Sequence, residues 1–140
     1  MRMAGPTEFQ ITVRSTDVDG DRVVNNARFF EYFEQARLHH MRVLGVLGSA
    51  GPFDRPARPF AIAETRCRYL APLVYGDTVI VRVTTAEVRN RSFVFAYDMV
   101  REHDGAAVAE GTSAQVWLDD IGRPTQLPAA IRDALLASCE

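Results

Sequence analysis

Arg14-Ser-Thr-Asp17-Val-Asp19-Gly-Asp-Arg22-Val-Val-Asn25-Asn26-Ala-Arg-Phe29-Phe30-Glu-Tyr32-Phe33-Glu34-Gln-Ala-Arg37 is the stretch around which the chain is organised. Just upstream, Phe9, Ile11 and Val13 alternate with polar residues, the period of a half-buried strand over about Glu8 to Arg14. An acidic, Gly-containing turn follows, and an apolar-striped segment opens at Asn25-Asn26. Carboxylates therefore sit just ahead of a helix. The first N–H groups of a helix lack internal acceptors and form the positive end of its dipole. They can stabilise an oxyanion while Asp19, seven residues before Asn26, approaches the same carbonyl carbon from the loop. Asp, Gly and Asn are also ordinary turn and N-cap residues, so spacing alone is equally compatible with a structural loop.

Working outward, Ala27 to about Leu44 keeps helical spacing in Phe29, Phe30, Phe33, Ala36, Met41 and Leu44. That predicts a helix of about 18 residues, roughly 27 Å long, ended by Gly45 and Gly48. His39 and His40 fall near its C-terminal end, where the dipole favours protonated imidazole. Adjacent helix positions diverge, so the two do not form a joint metal site. Gly48 to Pro59 reads as a broken loop. Four strands follow at Phe60–Leu70, Asp77–Val88, Ser92–Arg101 and Ala107–Leu118. The third and fourth of these predicted strands are joined at Asp104-Gly105, and a short helix runs from about Pro128 to Ser138. Four consecutive strands on short turns require antiparallel neighbours, and one long apolar helix needs a concave face to bury its stripe. The fold class is α+β.

The chain of 140 residues reads as a single domain spanning 1–140. It has no apolar run near the ~20 residues that span a bilayer and no leader pattern at its start, so a cytoplasmic location is expected. A net charge of −2 gives no general attraction to nucleic acid or membrane surfaces. All 16 basic residues are Arg, so any phosphate contact must come from a guanidinium. Two distant cysteines, Cys67 and Cys139, make no disulfide framework, and mid-strand Cys67 reads as a small core residue. No His or Cys cluster has metal-ligand spacing.

The run Arg14-x-x-Asp17-x-Asp19, then Val24-Asn25-Asn26, then Phe29-x-x-Tyr32-x-Glu34-x-Ala-Arg37 resembles the signature of the hotdog-fold acyl-CoA thioesterases of the 4-hydroxybenzoyl-CoA thioesterase type. Weaker landmarks, Tyr69-Leu-Ala-Pro72 to Gly76-Asp77, Arg91-Ser92-Phe93 and Gly122-Arg-Pro124, extend the likeness along nearly the whole chain. The resemblance implies a single hotdog domain, an antiparallel sheet wrapped around the long helix. It also implies Asp19 as the catalytic carboxylate, nucleophile or general base, and the Asn26 N–H as the group that polarises the thioester carbonyl.

Alternation carried on from the strand puts Asp17 on the same side as Asp19, so Asp17, and likewise Asp21, are the substitutes. Where the family has Gly, this chain has Arg22, which takes positive φ less cheaply. The turn Arg89-Asn90-Arg91-Ser92 resembles the family's basic tripeptide before Ser-Phe, which implies contact with the coenzyme A phosphates. By itself that turn also reads as a solvated hairpin. The resemblance further implies acyl-CoA as substrate, no cofactor and no metal, and a homodimer or homotetramer with residues of two chains at each site. The alternatives are release of acyl chains from acyl carrier protein, and a non-catalytic acyl-CoA binding domain.

Overall fold

The computed structural model describes residues 6–47 and 59–139. Strand β1 (Thr7–Thr12) leads through one turn of 3-10 helix (Ser15–Asp17) to helix α1 (Asn26–Val43). Strands β2 (Phe60–Tyr69), β3 (Thr78–Val88), β4 (Ser92–Arg101) and β5 (Ala107–Trp117) follow, and helix α2 (Ala129–Ala137) comes last. Gly45, at φ 78, follows the C-cap Leu44 of α1, a conformation that glycine takes without steric cost. Gly48 and most of the loop read between Gly48 and Pro59 lie outside the described residues. No described helix is long and apolar enough to cross a membrane.

The five strands form one antiparallel sheet in the order β1-β3-β4-β5-β2. This corrects one expectation: β2 pairs with β5, not with β3, although a short segment joins β2 to β3. The reason lies in residues 70–77, which cross the end of the sheet instead of turning back on it. Leu70 and Ala71 donate to the Val108 carbonyl, Val24 donates to the Leu73 carbonyl at 2.9 Å, and Leu73 is fully buried. The crossing chain thus forms the floor beneath the start of α1.

Inward faces follow the alternation of the sequence. Val79, Val81 and Val83 on β3 and Phe93, Phe95, Tyr97 and Met99 on β4 are buried against α1. From α1 the buried set is Phe29, Tyr32, Phe33, Ala36, Arg37, His40 and Met41. Phe30 is 38% exposed and Leu44 half-buried, so the buried stripe is rotated away from the one read off the apolar residues. Two polar side chains, Arg37 and His40, occupy the difference. Phe33 stacks on Tyr97 with centroids 4.4 Å apart, and Gly111 of β5 leaves room for its ring.

Candidate active site

The loop between β1 and α1 is built by its own hydrogen bonds. Val13 donates to Asp77 at 2.8 Å and anchors the strand end. After the 3-10 turn, Val18 and Val24 form an antiparallel bridge around a tight reversal, with Asp19 N–H on Val23 O at 3.2 Å and Arg22 N–H on Asp19 O at 3.0 Å. Arg22 sits at φ 67. Arg22, at the position where the resembled family has Gly, is thus left-handed, and Gly20 does not take over that conformation. Asn25 then caps α1, its side chain accepting from Ala27 N–H at 2.9 Å.

Asp19 is exposed, and its Oδ1 accepts from Asp21 N–H at 2.9 Å. This turn fixes the carboxylate while Oδ2 has no partner among the described residues. Asp19 lines a pocket of about 480 Å³ together with Thr16, Val18, Asn25, Ala27 and Arg28. Asn26 is the first residue of α1 and lies between two of these lining residues. Its N–H is one of the amides a helix leaves without an internal acceptor. Tyr69 of β2 donates to the Asn26 carbonyl at 3.0 Å and holds the helix start against the sheet. Asp19 and the first-turn residues Ala27 and Arg28 therefore line one cavity beside the positive end of the helix dipole, with Asn26 itself not among the lining residues.

Asp17 has a different role from the one its spacing suggests. The strand ends at Thr12, and the 3-10 turn breaks the alternation, so Asp17 is 1% exposed while Asp19 faces out. Its carboxylate accepts from the Arg14 N–H at 3.0 Å, from Arg14 Nη2 at 3.0 Å and from Tyr32 Oη at 2.9 Å. Burial raises its pKa, but the Arg14 and Tyr32 hydrogen bonds outweigh burial and hold it below the ordinary carboxylate value. Tyr32 is pushed up by burial and by Asp17, and so stays a phenol. The Asp17 carbonyl also accepts from Asn25 N–H at 3.1 Å. Asp17 thus ties the strand end to the helix cap on either side of Asp19. Its partners Arg14 and Tyr32 lie within the quoted stretch, but only the fold shows that they converge.

The Arg89–Ser92 turn lies elsewhere. Thr12, at the loop end of β1, pairs with Thr78 at the start of β3, whereas Arg89 follows Val88 at its other end. Ten residue steps of strand separate the two ends, about 33 Å. Within one chain the predicted phosphate contacts do not reach the pocket. Arg89, Asn90 and Arg91 are exposed and Ser92 half-buried. The backbone of the turn is held by α2 and its lead-in: Leu127 N–H donates to Asn90 O at 3.0 Å and Arg132 to Arg89 O at 2.8 Å. Arg89 pairs with Glu87 at 2.8 Å.

The helix-end histidines divide. His40 is fully buried between Thr7 Oγ1 at 2.8 Å and Thr85 Oγ1 at 3.1 Å. Burial, with a smaller push from His39, lowers its pKa to about 4, so it is neutral and not the protonated helix-end group expected. His39 packs against Phe9 at 5.2 Å. Burial raises the pKa of both Cys67 and Cys139, the reverse of an activated thiolate. Among the described residues no group of three or more His, Cys, Asp or Glu side chains could hold a metal ion.

Comparison with known proteins places this geometry. A hypothetical protein of Thermus thermophilus superposes with a TM-score of 0.84 at 28% identity, covering 94% of this chain and 98% of its own. A second protein of Thermus thermophilus, a thioesterase in complex with coenzyme A and Zn, does so at 0.77 and 30% identity, covering 91% and 95%. The chloroplastic acyl-acyl carrier protein thioesterase ATL3 of Arabidopsis thaliana is 26% identical over 89% of this chain, which spans 65% of that relative's length. Residues 13–135 match the thioesterase-like superfamily, from the last buried residue before the Asp-x-Asp loop into the last turn of α2. On that match and on its five-stranded sheet wrapped around one long helix, the chain belongs to the thioesterase-like superfamily and has the hotdog fold.

Proposed function

We propose that the chain hydrolyses an acyl-CoA thioester to the free acid and coenzyme A. The observation that carries this is the shared cavity of about 480 Å³, into which Asp19 and the first turn of α1 both open. The thioester carbonyl lies with its oxygen toward the Asn26 N–H, and Asp19 acts on its carbon. As nucleophile, Asp19 forms a mixed anhydride and expels the thiolate, and water then cleaves the anhydride. As general base, Asp19 takes a proton from water, whose oxygen adds to the carbonyl before the thiolate leaves. In both routes the helix end stabilises the same oxyanion. Membership of a thioesterase-like family supports thioester hydrolysis, and the coenzyme A held by the Thermus thermophilus thioesterase supports the choice of carrier.

The Arg89-Asn90-Arg91-Ser92 turn serves the coenzyme phosphates of a neighbouring subunit's site. The length of β3 that separates it from the cavity of its own chain supports this assignment. Strand β2, ten residues long at the edge of the sheet, leaves one side of its backbone open to pairing with a second copy. A homodimer, or a homotetramer built from it, then completes each site. Release from acyl carrier protein is the second reading, favoured by the likeness to the chloroplastic thioesterase. Exposed Arg89, Arg91 and Arg123 would meet the acidic carrier.

The test is thiol release from acyl-CoA and acyl-carrier-protein substrates by wild type and Asp19→Asn. Hydrolysis of acyl-CoA that drops by about a hundredfold or more in the variant, with circular dichroism unchanged, is the expected result. Near-wild-type turnover by Asp19→Asn removes that residue from the mechanism. Faster release from the carrier protein moves the substrate to the second reading.

A further inference from the structure

Among the described residues, the inner face of α1 carries a charge without a counter-charge. Arg37 is 5% exposed, and its Nη1 donates to Tyr97 Oη at 3.5 Å, the long limit of a hydrogen bond. Its Nε has no partner, and Nη2 makes no bond among the described residues. The groups behind it are neutral. Tyr97 Oη meets Ser113 Oγ, Ser113 meets Gln115, and Gln115 Nε2 donates to the Phe93 carbonyl at 3.1 Å. A buried guanidinium is stable when an anion accepts its hydrogen bonds, and none of these groups is one.

The space beside it suggests what the anion is. Arg37 lines a second pocket, of about 240 Å³, with Phe30, Glu31, Glu34 and Thr65. Glu31 lines both this pocket and the one at Asp19, so the two are neighbours along α1. Arg37 lies ten residues beyond Ala27, about 15 Å along the helix, and long side chains lean back toward the helix N-terminus. An acyl group whose carbonyl sits at the first turn would extend past Glu31 and over Phe30 toward the guanidinium.

Of the two acidic side chains, Glu31 is paired with Arg28 at 2.9 Å and Glu34 is exposed, where solvent screens it. With Nη1 engaged by Tyr97 and Nε closed off from solvent, Nη2 is the donor left for a carboxylate.

We propose that Arg37 binds a carboxylate at the far end of the acyl group, so that the preferred substrate is the mono-CoA thioester of a dicarboxylic acid. This rests on the acyl-CoA hydrolysis proposed above and names the substrate class of the same site. The test compares suberoyl-CoA with octanoyl-CoA, equal in chain length and differing only at the far end, in wild type and Arg37→Met. Alongside it, calorimetric titration with suberate and octanoate reads binding without turnover.

The expected result is a kcat/KM at least about tenfold higher for suberoyl-CoA in wild type, with the ratio near one in Arg37→Met. Suberate should likewise bind wild type more tightly than octanoate. A wild-type ratio near one, or a preference that survives in Arg37→Met, overturns the proposal. If Arg37→Met does not fold, the wild-type ratio and titrations decide. If neither thioester is hydrolysed, the hydrolysis reading fails and the titrations decide this one, with equal affinity for the two acids overturning it. That equality is also what a carboxylate supplied to Arg37 by a second copy of the chain would produce.

Discussion

Tyr32 Oη lies 2.9 Å from Asp17 Oδ2, across fifteen residues of sequence and beneath the loop that carries Asp19. The bond joins the first helical turns of α1 to the end of the incoming strand. Tyr32→Phe keeps the ring and removes only the donor, leaving a buried carboxylate short of one partner. Urea unfolding should show a loss of about 1–3 kcal/mol. No change in the unfolding midpoint would mean that Arg14 alone satisfies Asp17.

Gly111 faces Phe33 so closely that an added Cβ would run into the Arg66 carbonyl oxygen and lie 2.7 Å from the ring. Neither the β2 backbone nor a ring stacked on Tyr97 gives way cheaply. Gly111→Ala should destabilise by about 1–3 kcal/mol, read as a fall in Tm. A Tm equal to wild type would show that α1 can slide on the sheet.

Arg22 holds φ 67, in the left-handed region that costs a non-glycine residue roughly 1–2 kcal/mol. Replacing it should order the variants by backbone freedom. Arg22→Gly should be slightly more stable than wild type, and Arg22→Val less stable by about 1 kcal/mol or more. Equal denaturation midpoints for all three would mean that the reversal at Asp19–Val23 relaxes on substitution.

His40 titrates at about 4 in the folded protein, lowered from 6.5. The unfolded chain binds the proton first, so the stability from burying a neutral imidazole is present above pH 6.5 and lost as pH falls toward 4. A shift of this size corresponds to stability on the order of 3 kcal/mol. Asp17, whose folded pKa is also lowered, adds a further loss as pH falls below the ordinary carboxylate value. Unfolding free energy measured from pH 7 to 4 should fall steadily, and His40→Gln should flatten that slope. A slope unchanged in His40→Gln would assign the acid sensitivity to other groups.

Arg89 and Arg91 are exposed, and the Arg89–Glu87 pair has both side chains more than half exposed, so it gives way readily to a phosphate. The double change to Ala should raise KM for an acyl-CoA about tenfold at low salt with little effect on kcat, and the difference should shrink as salt rises. An acyl-pantetheine thioester, which lacks the nucleotide, should be hydrolysed equally by both forms. A matching rise in KM for that short substrate would place the arginines elsewhere than on the phosphates.

Much of the architecture was legible in the chain because it rests on local periodicity. Alternation in Val79–Val83 and Phe93–Met99 reports burial of one strand face directly, and the Asn25 cap marks the start of α1 within a residue. The family signature was legible for the same reason, since Asp19, Asn25 and Asn26 lie within eight residues of each other. Strand neighbours were not. Whether residues 70–77 turn back or cross over depends on where Leu73 is buried and which carbonyls accept from Leu70 and Ala71, and these are contacts with distant segments.

By itself the sequence determined the element order, the inward faces of β3 and β4, and the placing of a carboxylate ahead of a capped helix, because each follows from spacing over a few residues. The tertiary structure alone decided that Asp17 is buried while Asp19 is exposed, since a 3-10 turn replaces the alternation that would have aligned them. It also decided that His40 is neutral and that Arg37 is buried with no acidic partner among the described residues. Charge state and solvation depend on what surrounds a side chain, and for His40 and Arg37 the surroundings come from strands about thirty to eighty positions away in the chain.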